Sequence, residues 1–159
     1  MIVIDKLVPG FNTALEKVPG TLNAHKRLEK ALDGGAFDAR LRAQIGLAVA
    51  TQIRCDYCQW VYSRLAAGAG LSGEEALFAA AGTAIDRREA AILRLAQRMV
   101  AGGILLKKVD VEPRDSGVLQ DGEVAEVAAH VAFTILSCYV IQGIAPATRG
   151  RAPLPKRAI

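Results

Sequence analysis

From about residue 38 onward, apolar residues recur at three- and four-residue steps, and glycines fall where the runs stop. Leu41, Ile45, Ala48 or Val49, and Ile53 share one stripe, with Arg40, Arg42 and Gln44 between them. That period belongs to an amphipathic helix with one face on a core, here ending near Arg54. A second helix is predicted from Cys55–Asp56 through Trp60, Val61 and Leu65 to the Gly68-Ala69-Gly70 stop. Ser72, with Glu75 three residues on, has capping-box spacing and opens a short helix through Leu77 and Phe78. Asp86 is the N-cap of the next helix, with Glu89 three residues on. Its stripe is Ala90, Leu93, Ala96 or Gln97, and Val100, closed by Gly102-Gly103. The segment 104–122, with Pro113 and Gly117, reads as a loop. The last long helix spans roughly Glu123 to Gln142, with Val124, Val127, Val131, Ile135 and Cys138 on one stripe. Earlier, Pro9-Gly10 and Pro19-Gly20 are breaks, and Asn23 to Leu32 is a short helix closed by Gly34-Gly35. No convincing strand alternation exists. The chain reads as an all-α, single-domain helical bundle.

Composition narrows the class further. A length of 159 residues is that of one domain. An apolar content of 52% with a net charge of only +4 excludes disorder for most of the chain. The 15 Gly, 6 Pro and 3 Cys show no period, which excludes collagen-like and disulfide-scaffold folds. Aromatics are 5%, so the core is built from Ala, Leu, Val and Ile, and an Ala-rich helical surface is easily buried between subunits. A homo-oligomer is expected. The largely apolar stretch Val127 to Ile141 has 15 residues, short of the roughly 20 needed for a membrane span. Asp5 and Lys6 interrupt the first ten residues, so no secretory signal is expected and the reading is cytoplasmic. The basic surplus sits largely at Arg149, Arg151, Lys156 and Arg157, among Pro146, Pro153 and Pro155. That is a solvated or partner-covering tail. Without a basic face interleaved with aromatics, no nucleic-acid partner is expected. The organisation is thus a helical or extended N-terminal arm (1–34), a helical domain (35–147) and a basic, proline-containing tail (148–159).

The chemistry points to Cys55-Asp-Tyr-Cys58 at the junction of two predicted helices. Two intervening residues bring the second sulfur back over the first in one helical turn. A helix N-terminus stabilises a thiolate through its unpaired N–H groups and partial positive charge. Arg54 acts in the same direction and Asp56 against it. The pair is arranged for dithiol–disulfide exchange. A thioredoxin reading would need a βαβ context, and a structural zinc would need four ligands. His25, His130 and Cys138 are scattered singly, so no metal or other cofactor is expected. The plain alternative is two buried cysteines acting as small hydrophobes. Cys138 reads as a buried structural thiol, His130 as a hydrogen-bonded core or interface histidine, and His25, beside Lys26, Arg27 and Glu29, as solvated. Trp60, Val61 and Leu65 are candidates to line a thiol pocket, and Arg87, Arg88, Arg94 and Arg98 a solvated face or subunit contact.

The stretch from Ala39 to Cys58 (ARLRAQIGLAVATQIRCDYC), with the Ala-rich, capped and Asp86-Arg-Arg-Glu helices after it, resembles the carboxymuconolactone decarboxylase / alkyl hydroperoxidase D-like family over about residues 35–147. The resemblance implies an all-helical domain assembled as trimers or hexamers. It also implies a thiol peroxidase that reduces a hydroperoxide, is re-reduced by a lipoyl- or thioredoxin-like dithiol, and uses no metal or flavin. The decarboxylase branch of the family lacks the cysteine pair. The peroxidase branch carries a glutamate twelve residues before the first cysteine and a histidine four after the second, which relay a proton. Those positions are Ala43 and Tyr62 here. Gln44 lies one helical step, about 100°, from the first and is no base. Tyr62 shares a face with Cys58, yet a phenol with a reference pKa near 10 is a poor base at neutral pH. A general base contributes about 10²–10⁴-fold, so peroxidase activity is expected to be weakened. The candidate catalytic set is Cys55, Cys58 and Tyr62. The helix dipole favours Cys55 as the attacking thiol, whereas the resemblance implies Cys58, with Cys55 resolving. A redox sensor or structural oligomer, or a lactone decarboxylase-type enzyme, are the alternative functions.

Overall fold

The computed structural model describes residues 4–18, 20–102 and 118–148, and every regular element among them is a helix. In chain order these are α1 (Ile4–Leu7), α2 (Phe11–Glu16), α3 (Thr21–Asp33), α4 (Ala39–Gln52), α5 (Asp56–Gly68), α6 (Gly73–Ala80), α7 (Arg87–Gly102) and α8 (Asp121–Thr148). The mostly helical architecture agrees with the all-α reading. The expected loop over 104–122 lies outside the described residues except for 118–122, and the expected basic tail except for Thr148.

The hub is α4, which packs against α5, α6, α7 and α8. Its run Gln44 to Ala50 is buried without a break. Helices enclosed on several sides are apolar all round, and this one carries small residues that let its neighbours approach. Local chemistry starts these helices where the sequence places them. Asp38 Oδ1 accepts the Leu41 N–H at 2.8 Å and opens α4. Ser72 and Glu75 form a reciprocal capping box ahead of α6, with bonds of 3.2 and 2.7 Å. Asp86 Oδ1 accepts the Glu89 N–H at 2.9 Å at the start of α7. Each cap satisfies donors that the first helical turn leaves unpaired.

Four boundaries or environments differ from the sequence reading. Helix α4 stops at Gln52 rather than near Arg54, because Arg54 adopts the left-handed conformation (φ 58°) and turns the chain into α5. Helix α8 runs six residues beyond Gln142, since Ile141 and Ile144 continue its packed stripe onto the core. The first residues fold as α1 and α2. Ile4, Val8, Phe11 and Leu15 are buried in the common core, a spacing that the Pro9-Gly10 break obscures. Finally, His25 is buried rather than solvated. It lies against the rings of Phe11 and Phe133, and its Nε2 is 3.1 Å from Ser137 Oγ on α8.

Helix α8 deserves its length through packing. Over 122–144 it is long and apolar enough to cross a membrane, with a mean hydropathy of 1.8. Here it contacts α2, α3, α4, α5 and α7 and buries the polar side chains of His130, Thr134 and Ser137 against them. A glutamate on it fastens the α3–α4 connection. Glu126 accepts N–H bonds from Ala36 and Phe37, each at 3.1 Å. A Cβ on Gly35 would collide with that carboxylate.

Candidate functional site

The α4–α5 junction brings the two cysteines together. Cys55 is the N-cap of α5, in extended conformation, and its Sγ accepts the Cys58 N–H at 3.2 Å. A sulfur thus occupies the place that an oxygen takes in the caps of α4, α6 and α7. The Cα atoms are 5.2 Å apart and the two sulfurs lie at disulfide-bonding distance. Their environments are unequal. Cys55 is half-buried, beside an exposed Arg54 and Asp56, whereas Cys58 has no exposed surface. Inside, the Cys58 sulfur faces the Cys138 carbonyl on α8 at 3.9 Å.

Cys138 itself is a free, fully buried thiol, and burial pushes its pKa up to about 12. It is inert packing, as the sequence suggested. Trp60 lies half-buried beside Tyr57, ring centroids 5.7 Å apart, and Val61 is core. Arg88 pairs with Glu123 of α8 and sits 5.8 Å from the Phe37 ring centroid, so it ties α7 to α8. Among the described residues, no group of three His, Cys, Asp or Glu side chains is placed to hold a metal ion.

Tyr62 follows Cys58 by one turn on the buried face of α5. Its ring lies directly on Gly46 of α4, where any Cβ would collide with the ring carbons. Burial, helped by Cys138, drives its phenol pKa well above the ordinary value. The Thr134 and Ser137 hydroxyls pull the other way without a hydrogen bond of good geometry. The phenol therefore stays protonated at any physiological pH and cannot accept a proton from a thiol.

Ala43 and Tyr62 both line a cavity of about 420 Å³ between α3, α4, α5 and α8. Glu29, Arg42, His130 and Thr134 line it too. Burial lowers the His130 pKa to about 4, a shift that Glu126, 3.9 Å away, only partly offsets. Its ring stacks on Phe37, and its Nε2 has no hydrogen-bond partner. Glu29 is shifted upward by burial and by Asp33. Sequence reasoning missed Glu29, Arg42 and Thr134 as cavity residues. One signal was present for α8: His130, Thr134 and Ser137 recur at steps of four and three, a polar stripe in an otherwise apolar helix.

A comparison with family models matches residues 17–99 to the carboxymuconolactone decarboxylase family. The match spans just over half of the chain, from the end of α2 into α7, and includes Ala43, Cys55, Cys58 and Tyr62. No curated protein and no solved structure gave a match.

Proposed function

Because the chain belongs to the carboxymuconolactone decarboxylase family, we propose that it is a thiol-dependent oxidoreductase in which Cys55 and Cys58 cycle between dithiol and disulfide. The observation that carries this reading is the α5 N-terminus, with Cys55 as its cap, half-exposed, and Cys58 buried behind it at disulfide-bonding distance. A thiolate at Cys55 keeps the Cys58 N–H and the helix dipole as its stabilisers.

The cycle balances as follows. A thiolate attacks the outer oxygen of a hydroperoxide, the O–O bond breaks, and the alkoxide leaves as an alcohol after protonation, which yields a sulfenic acid. The second thiol attacks that sulfur, water leaves, and the disulfide forms. A dithiol reductant of lipoyl or thioredoxin type then attacks the disulfide and leaves as its own disulfide, which regenerates both thiols. Exposure favours Cys55 for both outside encounters, with Cys58 resolving, the reverse of the order that the resemblance implies.

The first step is the weak one. Ala43 offers no carboxylate and Tyr62 no base, so deprotonation relies on the helix terminus alone. Dithiol exchange needs nothing more, and this favours disulfide exchange or redox sensing over rapid peroxide turnover as a second reading. The lactone decarboxylase alternative has less support, because the decarboxylase branch that the chain resembles lacks the cysteine pair present here at Cys55 and Cys58.

The setting we propose is the cytoplasm, where a dithiol pool keeps the pair reduced, and a self-associated state. Ala125, Ala128, Ala132, Leu136 and Tyr139 form an exposed, uncharged face along α8. Light scattering after size-exclusion chromatography is expected to report a trimer or hexamer, and a monomer at micromolar concentration would remove that part of the proposal.

The deciding experiment is turnover with cumene hydroperoxide and dihydrolipoamide, with mass spectrometry of the thiols. Slow turnover that vanishes in Cys55→Ser and in Cys58→Ser is expected, with sulfenic acid trapped on Cys55 in the Cys58→Ser protein. A pair that neither oxidises with peroxide nor exchanges with the dithiol would overturn the reading.

A further inference from the structure

The turn that delivers Cys55 to the start of α5 is made by an arginine in a conformation that arginine does not favour. Among the described residues, five have a positive φ, and the four besides Arg54 are Gly10, Gly20, Gly70 and Gly82. At Arg54 the Cβ crowds the following carbonyl oxygen, a cost that glycine escapes. Nor does the turn draw on the side chain. Its hydrogen bond runs from the Arg54 N–H to the Thr51 carbonyl at 3.0 Å, and any residue but proline supplies that donor. Arg54 is exposed, immediately before the half-buried Cys55, and its guanidinium has no hydrogen bond or ion pair among the described residues. A strained backbone beside a reactive sulfur points to a task for the side chain held there.

Charge identifies the task. Residues 39–73 hold four arginines and one aspartate. Arg40 pairs with Glu75 and donates to the Gly70 carbonyl. Arg42 donates to the Asp33 and Phe37 carbonyls at 3.1 and 3.2 Å and pairs with the Asp33 carboxylate at 2.9 Å. Both are neutralised within the bundle. Arg64 lies near the far end of α5, roughly 13 Å along the helix axis from Cys55. Arg54 and Asp56 are left flanking the sulfur. Asp56 is the first residue of α5, where the unpaired N–H groups and positive end of the helix offset a carboxylate. Arg54 precedes the helix and has no such compensation. The approach to Cys55 therefore carries an uncompensated positive charge.

We propose that Arg54 determines specificity in the reductive half of the dithiol cycle: its guanidinium favours a carboxylate-bearing dithiol over a neutral one at the Cys55–Cys58 disulfide. This inference rests on the dithiol reading. The incoming thiolate attacks Cys55 Sγ, the Cys55–Cys58 bond breaks, and the Cys58 sulfur leaves and takes up a proton. The partner's second thiol gives up its proton and attacks the mixed disulfide. Cys55 leaves as a thiolate, and the partner departs as a cyclic disulfide. The carboxylate takes no part in these bonds. Arg54 acts by raising the local concentration of the molecule that carries it.

The test compares two reductants with the same dithiol, dihydrolipoate and dihydrolipoamide, which differ by one carboxylate charge at about pH 7.5. Each is mixed with the oxidised full chain at low ionic strength, and the protein thiols formed are counted by alkylation and mass spectrometry. Dihydrolipoate is expected to react about threefold faster, the size of effect that one exposed charge pair supplies, and the preference is expected to fade at high salt. Arg54→Lys should keep it. Arg54→Gln and Arg54→Gly should each lose most of it, and glycine also relieves the left-handed turn, so the pair separates charge from backbone. The inference is overturned if the two reductants react equally at low salt, if the preference is independent of salt, or if it survives in both neutral variants. Reduction by neither dithiol would overturn the dithiol reading and this inference with it, whereas equal rates remove only the role of Arg54.

Discussion

The two regions worth comparing are the α4–α5 junction and the cavity one helical turn away from it. The junction is built from neighbours in sequence: Arg54 turns the chain, Cys55 caps the helix, and Cys58 donates its N–H back. The cavity is built from four helices, with Glu29 and His130 about a hundred residues apart along the chain. The family match covers the whole junction but stops before α8, which supplies His130, Phe133 and Thr134 to the cavity. Both regions draw on the matched residues, and the cavity adds side chains from α8 to them.

The sharpest way to break that contrast is to put the missing relay back. Ala43 and Tyr62 line one cavity, so Ala43→Glu with Tyr62→His places an acid and an imidazole in the same space. Hydroperoxide turnover is expected to rise by about 10²-fold or more, the range a general base supplies. The rate of disulfide exchange with dihydrolipoamide should stay within a few-fold. Stopped-flow oxidation of the reduced protein separates the two rates. An unchanged peroxide rate would mean that the sulfurs and the cavity are not in communication at all.

A smaller effect tests how the cavity keeps its shape. Gly46→Ala drives a methyl group into the Tyr62 ring. Overpacking of this kind costs about 1–3 kcal/mol. The ring must shift to make room, so stability is expected to fall by that amount. Urea unfolding reads the loss, and an unchanged midpoint would show that the ring gives way without cost.

These expectations also mark what the sequence could reveal. Caps and helix boundaries were legible because they are local: Ser72 with Glu75 and Asp86 with Glu89 satisfy their own first turns. The thiol pair was legible for the same reason. The burial of His25 was not, since Lys26, Arg27 and Glu29 around it suggest solvent. Only contacts across the chain, to Phe133 and Ser137, explain it. Even that pair has a fixed sense. Ser137 Oγ donates to the Phe133 carbonyl at 2.9 Å, so it accepts from His25 and is no activated nucleophile. Nor could periodicity show that Arg42, on the outer stripe of α4, would be consumed by the end of α3. Charge at the cavity follows from tertiary placement, and composition carries no trace of it.

The smallest expected effect is the pH dependence of stability, and it tests the inner wall directly. Burial holds the folded-state pKa of His130 near 4, against about 6.5 in the unfolded chain. The unfolded state then binds the proton first, so stability rises with pH across that window. It is complete above about pH 6.5 and is lost as the pH falls toward 4. His25 shifts in the same direction, through burial and Lys26, and adds to the slope. Glu29, raised by burial and by Asp33, works against it below neutrality. Glu75 and Glu123, held by hydrogen bonds from the Ser72 and Gln120 backbones, are shifted downward and act only at lower pH. Comparing urea midpoints at pH 7.5 and pH 5 therefore reads the histidines net of the opposing Glu29. About 1 kcal/mol of the loss is expected to belong to His130, after allowance for solvent screening. His130→Phe should remove that share and leave the rest. If the variant keeps the full slope, the imidazole is not buried in its neutral form against α4 and Phe37.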